Sequence, residues 1–379
     1  MGCGVRRLPP LRSLTAFIAV CFLGPLASAA PISEDWLQQE VDGILEEYGL
    51  IALGAGVLET GGDAVIAVSG NEASGSDVAV TSDAAWHIGS NTKALTALLY
   101  ARLVERGETD WGVSVAELFS GTVKDIDPHW QDITIEDLFA HRSGAGDIGP
   151  VWLIARAGDD SPLPRQRLET ARDRLTSTPP GEPGTFEYSN LNYILAGAAI
   201  ELITGTSWEE AIGSEVFKAE GGDWSSGWGF GPPPSGPVGH DTVFGLKVPA
   251  GRGSGADNPP ALGPAGTVHV PIDSHLRLLR EFIDRENTLI SDETRTRLLS
   301  PWPDEDADYA MGWGVTSHEA LGTVYAHRGS NTMWLSHAEM VPGKGTVFIV
   351  NTNMFTGKSR EAVSDLVRVI ETRLAEPAD

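Results

Sequence analysis

The chain has 379 residues, 41% of them hydrophobic, with 44 Gly, 24 Pro and 2 Cys. That length and apolar content exclude a disordered tail and imply a sizeable buried core. Lys plus Arg number 27 against 52 Asp plus Glu, a net charge of −25, which argues against nucleic acid or an anionic membrane surface as partner, because both require clustered cations. Only six of the cations are lysines, Lys93, Lys124, Lys218, Lys247, Lys344 and Lys358, so the position of each is informative.

Residues 1–29 read as a secretory signal peptide. Arg6, Arg7 and Arg12 give a basic start, an apolar run extends from Leu14 to Leu26, and Ala27-Ser28-Ala29 fits a small-residue cleavage site. The mature chain is then expected to begin near Ala30 and to be secreted or periplasmic. The apolar run is shorter than the roughly 20 residues of a spanning helix, and no later stretch is long enough, so no membrane span is expected. Both cysteines, Cys3 and Cys21, lie in the leader, which leaves the mature chain without disulfides or cysteine-ligated zinc. Cys21 is read as discarded with the signal rather than lipidated, because Val20 before it is larger than the usual small residue.

Along the mature chain, the apolar spacing of Trp36, Val41, Ile44 and Leu45 predicts an amphipathic helix from Ser33 to Tyr48 with Ser33 as its cap. Two β-type runs follow, Ile51 to Leu58 and Ala64 to Val68, joined by Gly61-Gly62-Asp63 as a hairpin turn. Ser90 to Arg106 predicts a long helix, apolar nearly all round and therefore buried between layers. Helical patterns recur at Ile135–Ala140, Arg165–Leu175, Leu191–Ile203 and Trp208–Phe217. Gly221 to Gly266 is rich in Gly, Pro and Trp with little periodicity, the texture of a long surface loop. Two further helical patterns, Ile272–Ile283 and Asp292–Leu299, precede β-type runs at Tyr309–Val315, Thr323–His327, Met333–Met340 and Thr346–Val350, and a final helix is expected over Arg360–Leu374. Strands at both ends with helices between them predict an α/β sandwich: one antiparallel sheet flanked by helices, with a mostly helical domain inserted. The expected division is a sheet subdomain of about 30–106 and 263–379 and a helical subdomain of about 107–262.

Within WHIGSNTKALTALL, Ser90 and Lys93 stand three apart at a helix start, where two Cβ atoms lie about 5–6 Å apart. A lysine in the first turn opposes the positive end of the helix dipole. That field and burial both disfavour the ammonium form, which suits a general base working near neutrality. Backbone N–H groups at the same terminus suit an oxyanion. About 0.4 S-x-x-K pairs are expected by chance in this composition, so the pair alone is weak evidence. Its context, opening a buried helix, favours chemistry over a cap and a surface lysine.

Two further strings matter. Tyr188-Ser189-Asn190 opens the Leu191–Ile203 pattern, and His327-Arg328-Gly329-Ser330 ends a strand pattern. S-x-x-K on a buried helix, Y-S-N about a hundred residues later and H-x-G on a late strand resemble the penicillin-recognising serine hydrolases. More narrowly, they resemble the branch containing class C β-lactamases, D-alanyl-D-alanine carboxypeptidases and β-lactamase-like carboxylesterases. The strings GSNTKALTALLYARLVERG, DLFAHRSGAGD and DNPPALGPAGTVHVPIDSHLRLL look like that branch too, and the resemblance extends from about Trp36 to Ile370.

The resemblance implies an α/β sandwich with a helical insert and a site at their junction. It makes Ser90 the acylated nucleophile, Lys93 its base, and Tyr188 a phenol or phenolate in the proton relay. Asn190 would hold Lys93 and the substrate, and Gly329 would let a strand edge approach the substrate closely. The backbone N–H groups of Ser90 and Ser330 would form the oxyanion hole. His327 matches the lysine of the K-T-G triad of β-lactamases. His141-Arg142-Ser143-Gly144 reads as a rim or support loop, and Trp224, Trp228 and Phe230 as an acyl-pocket lining or as packing.

His327 departs from the β-lactamase pattern, because an unperturbed histidine is mostly neutral at pH 7. Arg328 cannot replace the missing charge if strand alternation holds, since it then points to the opposite face. Esterases and D-amino-acid peptidases of the branch often carry His there. The expected activity is therefore hydrolysis of a small-molecule carboxylic ester, or of a lactam or D-amino-acid peptide amide, with no cofactor. The alternative is a penicillin-binding or sensor-type module that acylates without turnover. No serine lies in G-x-S-x-G, and the nine histidines show no H-E-x-x-H, which disfavours an α/β-hydrolase elbow and a metallohydrolase.

Overall fold

A computed structural model describes residues 1–2, 32–218, 227–286 and 289–376. The signal-peptide assignment, apart from its first two residues, both cysteines and Trp224 lie outside the described residues. Helix α1 (Glu34–Tyr48) leads into the hairpin of β1 (Ala52–Glu59) and β2 (Val65–Gly70), then β3 (Ala85–His87) and α2 (Thr92–Glu105). The middle of the chain carries α3 (Val115–Phe119), α4 (Ile135–Phe139), α5 (Pro150–Ala157), α6 (Leu163–Leu175), α7 (Asn190–Thr204) and α8 (Trp208–Ile212). Three short strands follow: β4 (Gly229–Phe230), β5 (His240–Val243) and β6 (Leu246–Pro249). Then come α9 (Gly263–Gly266), β7 (Val268–Pro271), α10 (Ile272–Arg280) and α11 (Asp292–Leu299). Strands β8 (Gly314–His318), β9 (Gly322–Ser330), β10 (Leu335–Val341) and β11 (Thr346–Thr352) precede the last helix, α12 (Gly357–Ala375).

The main sheet has six strands in the order β2-β1-β11-β10-β9-β8, and every pairing in it is antiparallel. N-terminal and C-terminal strands thus share one sheet, with the helical segments inserted between them, the α/β sandwich that the order of patterns implies. On one face Leu53, Ala55, Val57, Phe348 and Val350 pack against Leu37, Val41 and Ile44 of α1 and Val363, Leu366 and Ile370 of α12. On the other face β1 presents Gly54 and Gly56. A Cβ at Gly56 would lie 2.5 Å from Ile272 Cγ2 and 2.8 Å from Leu276 Cδ1, so the absent side chains are what let α10 lie directly on the strand.

Helix α2 has no polar face: Thr92 to Ala101 and Leu103 are all buried. It lies between the sheet side and the helical layer, in one core with Phe139 of α4, Tyr193 and Leu195 of α7 and Trp208 of α8. A Cβ at Gly197 of α7 would overlap the Pro264 ring, so α7 and α9 also approach closely. A buried charge cluster pins this layer: Arg167 of α6 is paired with Glu201 of α7 at 2.5 Å and with Glu209 of α8, and donates to Ala261 O at 3.0 Å.

The structure corrects several boundaries. The α-helix expected from Ser90 begins at Thr92, preceded by a 3-10 turn over Gly89–Asn91. The helix expected over Trp208–Phe217 ends at Ile212 and continues as a π turn over Gly213–Phe217. The Gly/Pro-rich segment is not all loop: β4 joins β3 and β7 in a three-stranded sheet, and β5 pairs with β6. These strands run two to four residues, too short to leave a period-2 signal. The first late strand lies at Gly314–His318, five residues beyond the expected start at Tyr309. Among the described residues, no helix is long and apolar enough to cross a membrane.

Candidate active site

Strand β3 ends at His87 and the chain turns through Gly89, whose φ of 52° lies in the left-handed region. The turn puts Ser90 at the start of the buried helix. Thr92 Oγ1 ties the turn by donating to Gly89 O at 2.7 Å. One turn on, Lys93 is fully buried. Its Nζ donates to Ala265 O at 2.8 Å and to Asn190 Oδ1 at 2.9 Å, and lies 3.1 Å from Ser90 Oγ. Burial pulls Lys93 down to about 7, while the Asp147 carboxylate pulls it up.

Asn190 is the first residue of α7, and Asp147 caps that helix. Asp147 Oδ1 accepts from Asn190 N at 2.8 Å and Leu191 N at 3.3 Å, and Oδ2 accepts from Asn190 Nδ2 at 3.4 Å. The carboxylate therefore orients the amide whose oxygen holds Lys93. Asp147 was not singled out in the sequence. It stands 43 residues before the helix it caps, so no local capping pattern marks it. Ala265 acts through its backbone carbonyl, which no side-chain motif reports.

Tyr188 packs between two imidazoles, with ring centroids 4.3 Å from His141 and 6.1 Å from His327, and Lys93 Nζ lies 4.9 Å from its ring centroid. Burial raises the phenol to about 12, partly offset by a hydrogen bond with the Ser90 side chain. The residue is still 39% exposed, so its edge meets solvent. His327 is held down to about 3 by burial and then by the neighbouring Lys93, and its Nδ1 lies 3.3 Å from Asn91 Oδ1. His141 is held well below its usual value by burial. Both rings are neutral at pH 7, so neither adds the positive charge that would favour a phenolate.

His141 sits under Tyr188 rather than on a rim. Its Nδ1 accepts from Ser189 N at 3.1 Å and its backbone oxygen from Glu187 N at 2.8 Å, so it supports both sides of Tyr188. Arg328 points away from the site, with Nη2 donating to Ser364 Oγ of α12 at 3.0 Å, as strand alternation requires. Trp228 stacks on Phe217 at 4.4 Å, and Phe230 packs on Trp208 at 5.5 Å. Phe230 also borders a cavity of about 240 Å³ with Asp257 and Thr267.

The last strand of the site, β9, brings Gly329 against the Ser90 turn. A Cβ there would collide with the Ile88 carbonyl and lie 2.7 Å from Ser90 N, so only glycine permits the approach. Ser330 follows, and its Oγ accepts from Thr332 N at 2.9 Å. Ser90, Lys93, Tyr188, Asn190, His327, Gly329 and Ser330 thus meet where the sheet side borders the helical layer.

A penicillin-binding protein 4 from Amycolatopsis lactamdurans is 27% identical to this chain over 345 residues, covering 80% of this chain and 83% of that protein. The octameric penicillin-binding protein homologue from Pyrococcus abyssi superposes with a TM-score of 0.70 at 22% identity, covering 90% of this chain and 78% of that one. The D-amino acid amidase from Ochrobactrum anthropi SV3 gives 0.69 at 18% identity, with 89% and 99% coverage. At these identities the two structures speak for the fold. The Beta-lactamase family model matches residues 37–371, and the chain belongs to that family.

Proposed function

We propose that the protein is an exported serine hydrolase that works through an acyl-enzyme on Ser90, with Lys93 as its base. The observation that carries this reading is the set of three partners around Lys93 Nζ. A neutral amine has two hydrogens and one lone pair. The two hydrogens are taken by Ala265 O and Asn190 Oδ1, which leaves the lone pair for the Ser90 hydroxyl at 3.1 Å. With Lys93 at about 7 and Tyr188 at about 12, the lysine and not the phenolate is the group ready to accept a proton.

In acylation, Ser90 Oγ loses its proton to Lys93 Nζ and attacks the carbonyl carbon. The oxyanion forms against the backbone N–H groups of Ser90 and Ser330, then collapses and expels the leaving group. The departing oxygen or nitrogen takes its proton from Lys93 through the Tyr188 hydroxyl. Water then repeats the sequence on the acyl-enzyme, giving the carboxylic acid and free Ser90.

The substrate class in this reading is an uncharged carboxylic ester first, with lactam and D-amino-acid amide bonds as the wider range. The neutral His327 gives an anionic substrate group no cationic partner, and Arg328 is tied to α12. The names of the relatives, a penicillin-binding protein and a D-amino acid amidase, favour the amide end of the same chemistry. The test compares a p-nitrophenyl ester, nitrocefin and a D-alanyl-D-alanine peptide on the wild type and on Ser90→Ala. Ester turnover is expected to be fastest and to fall by roughly 10³-fold or more in the variant. Full activity in Ser90→Ala would overturn the reading. A persistent adduct on Ser90 with no product would instead support a penicillin-binding module without turnover.

A further inference from the structure

Beside the Ser90 turn lies a buried polar pair that the reaction scheme leaves unused. Asp257 Oδ2 lies 2.9 Å from His87 Nε2, and the two side chains are 3% and 0% exposed. His87 Nδ1 accepts from Gly89 N at 3.1 Å. An N–H can only donate, so Nδ1 carries no hydrogen and the ring hydrogen sits on Nε2, facing the carboxylate. The other oxygen, Asp257 Oδ1, accepts from Asn331 Nδ2 at 2.8 Å. Asn331 Oδ1 in turn accepts from Met333 N at 3.2 Å, closing the turn after β9.

One carboxylate therefore grips two segments from opposite ends of the chain. Gly89 immediately precedes Ser90, and Asn331 immediately follows Ser330. These are the two residues whose N–H groups would hold the oxyanion. Main-chain pairing does not set that spacing alone, because Ser330 is the last residue of its strand and Ser90 lies in a 3-10 turn.

We propose that Asp257 is a positioning residue that sets, through His87 and Asn331, the separation of the Ser90 and Ser330 N–H groups. The inference rests on the acyl-enzyme reading of Ser90. Oxyanion donors act only when they lie about 2.7–3.1 Å from the developing charge. A misplacement of about 1 Å is enough to cost on the order of 10²-fold in rate. Loosening the clamp acts on the transition state and leaves ground-state binding in place.

The experiment uses the mature protein with a p-nitrophenyl ester and an acyl-mimicking boronic acid that forms a tetrahedral adduct on serine. Asp257→Asn keeps the shape but cannot accept from both His87 and Asn331. It is expected to lower kcat by about 10–100-fold with KM little changed, and to weaken the boronic acid by a similar factor. His87→Asn, whose Oδ1 can still accept from Gly89 N, should lose less than His87→Ala. Asn331→Ala releases only the Ser330 side and provides the same readout if Asp257→Asn does not fold. A folded Asp257→Asn or Asn331→Ala with wild-type kcat and wild-type boronic acid affinity would overturn the proposal, as would a pure rise in KM. Ser90→Ala is measured alongside. Activity in that variant would defeat the acyl-enzyme reading, whereas an inactive Ser90→Ala beside a fully active Asp257→Asn would defeat only the clamp.

Discussion

Lys93 Nζ lies 3.1 Å from Ser90 Oγ, one helical turn away. The distance follows from the local helix. The protonation state does not, because it depends on burial by α7, on the segment before β7 and on a carboxylate from the loop before α5. Three consequences can be measured.

The first concerns pH. In the proposed mechanism Lys93 must be neutral to take the Ser90 proton, and burial holds it at about 7. Raising pH through that value removes the proton, so kcat/KM for a p-nitrophenyl ester should rise through about pH 7 and level above it. Lys93→Ala should cost roughly 10²–10⁴-fold and flatten this limb. A wild-type profile without that rise would exclude Lys93 as the titrating base.

A second prediction concerns Asp147. Its negative charge favours the ammonium form and so raises Lys93. Asp147→Asn removes the charge, and the rising limb of the profile should move to lower pH. The variant also removes the anion from the N-terminus of α7, where it accepts from Asn190 N and Leu191 N. Thermal denaturation should show a loss of about 0.5–1 kcal/mol. A limb that stays in place or moves to higher pH would contradict the electrostatic assignment.

Arg167 carries the third prediction. It is fully buried between Glu201 and Glu209 and also donates to Ala261 O. Arg167→Ala leaves the buried Glu201 and the partly exposed Glu209 without their cation, and desolvation already pushes Glu201 up. The expected loss is about 3–5 kcal/mol in denaturant unfolding, because breaking a buried pair strands the remaining charge. A loss below about 1 kcal/mol would show that the carboxyl groups find other compensation.

Much of this arrangement was legible in the chain. Ser33 and the spacing after it mark α1, the hairpin turn at Gly61 separates β1 from β2, and the all-round apolar pattern after Ser90 marks a buried helix. Alternation along β9 correctly sends Arg328 to the α12 face. Helices α3 and α5 went unmarked, although α4 and α11, also of five and eight residues, left readable patterns. The strands β4 to β6 are shorter still, and the Gly and Pro of the segment that holds them read as loop.

What the sequence by itself determined is the inventory and its order: a serine and a lysine one turn apart, a tyrosine and an asparagine at a later helix start, and a glycine where a strand must pass close. Periodicity and spacing carry the serine–lysine pair and the helix starts, because each depends on neighbours a few residues away, whereas the glycine's role comes from the family resemblance. Tertiary structure alone decided the rest. It buried Lys93 and supplied the Ala265 carbonyl, brought Asp147 to Asn190, kept His141 and His327 neutral around Tyr188, and set Asp257 between the turns at Ser90 and Ser330. Desolvation, Coulomb energy and hydrogen-bond geometry depend on distance in space, and the groups that set them here stand from 43 (Asp147 to Asn190) to 234 (Lys93 to His327) residues apart.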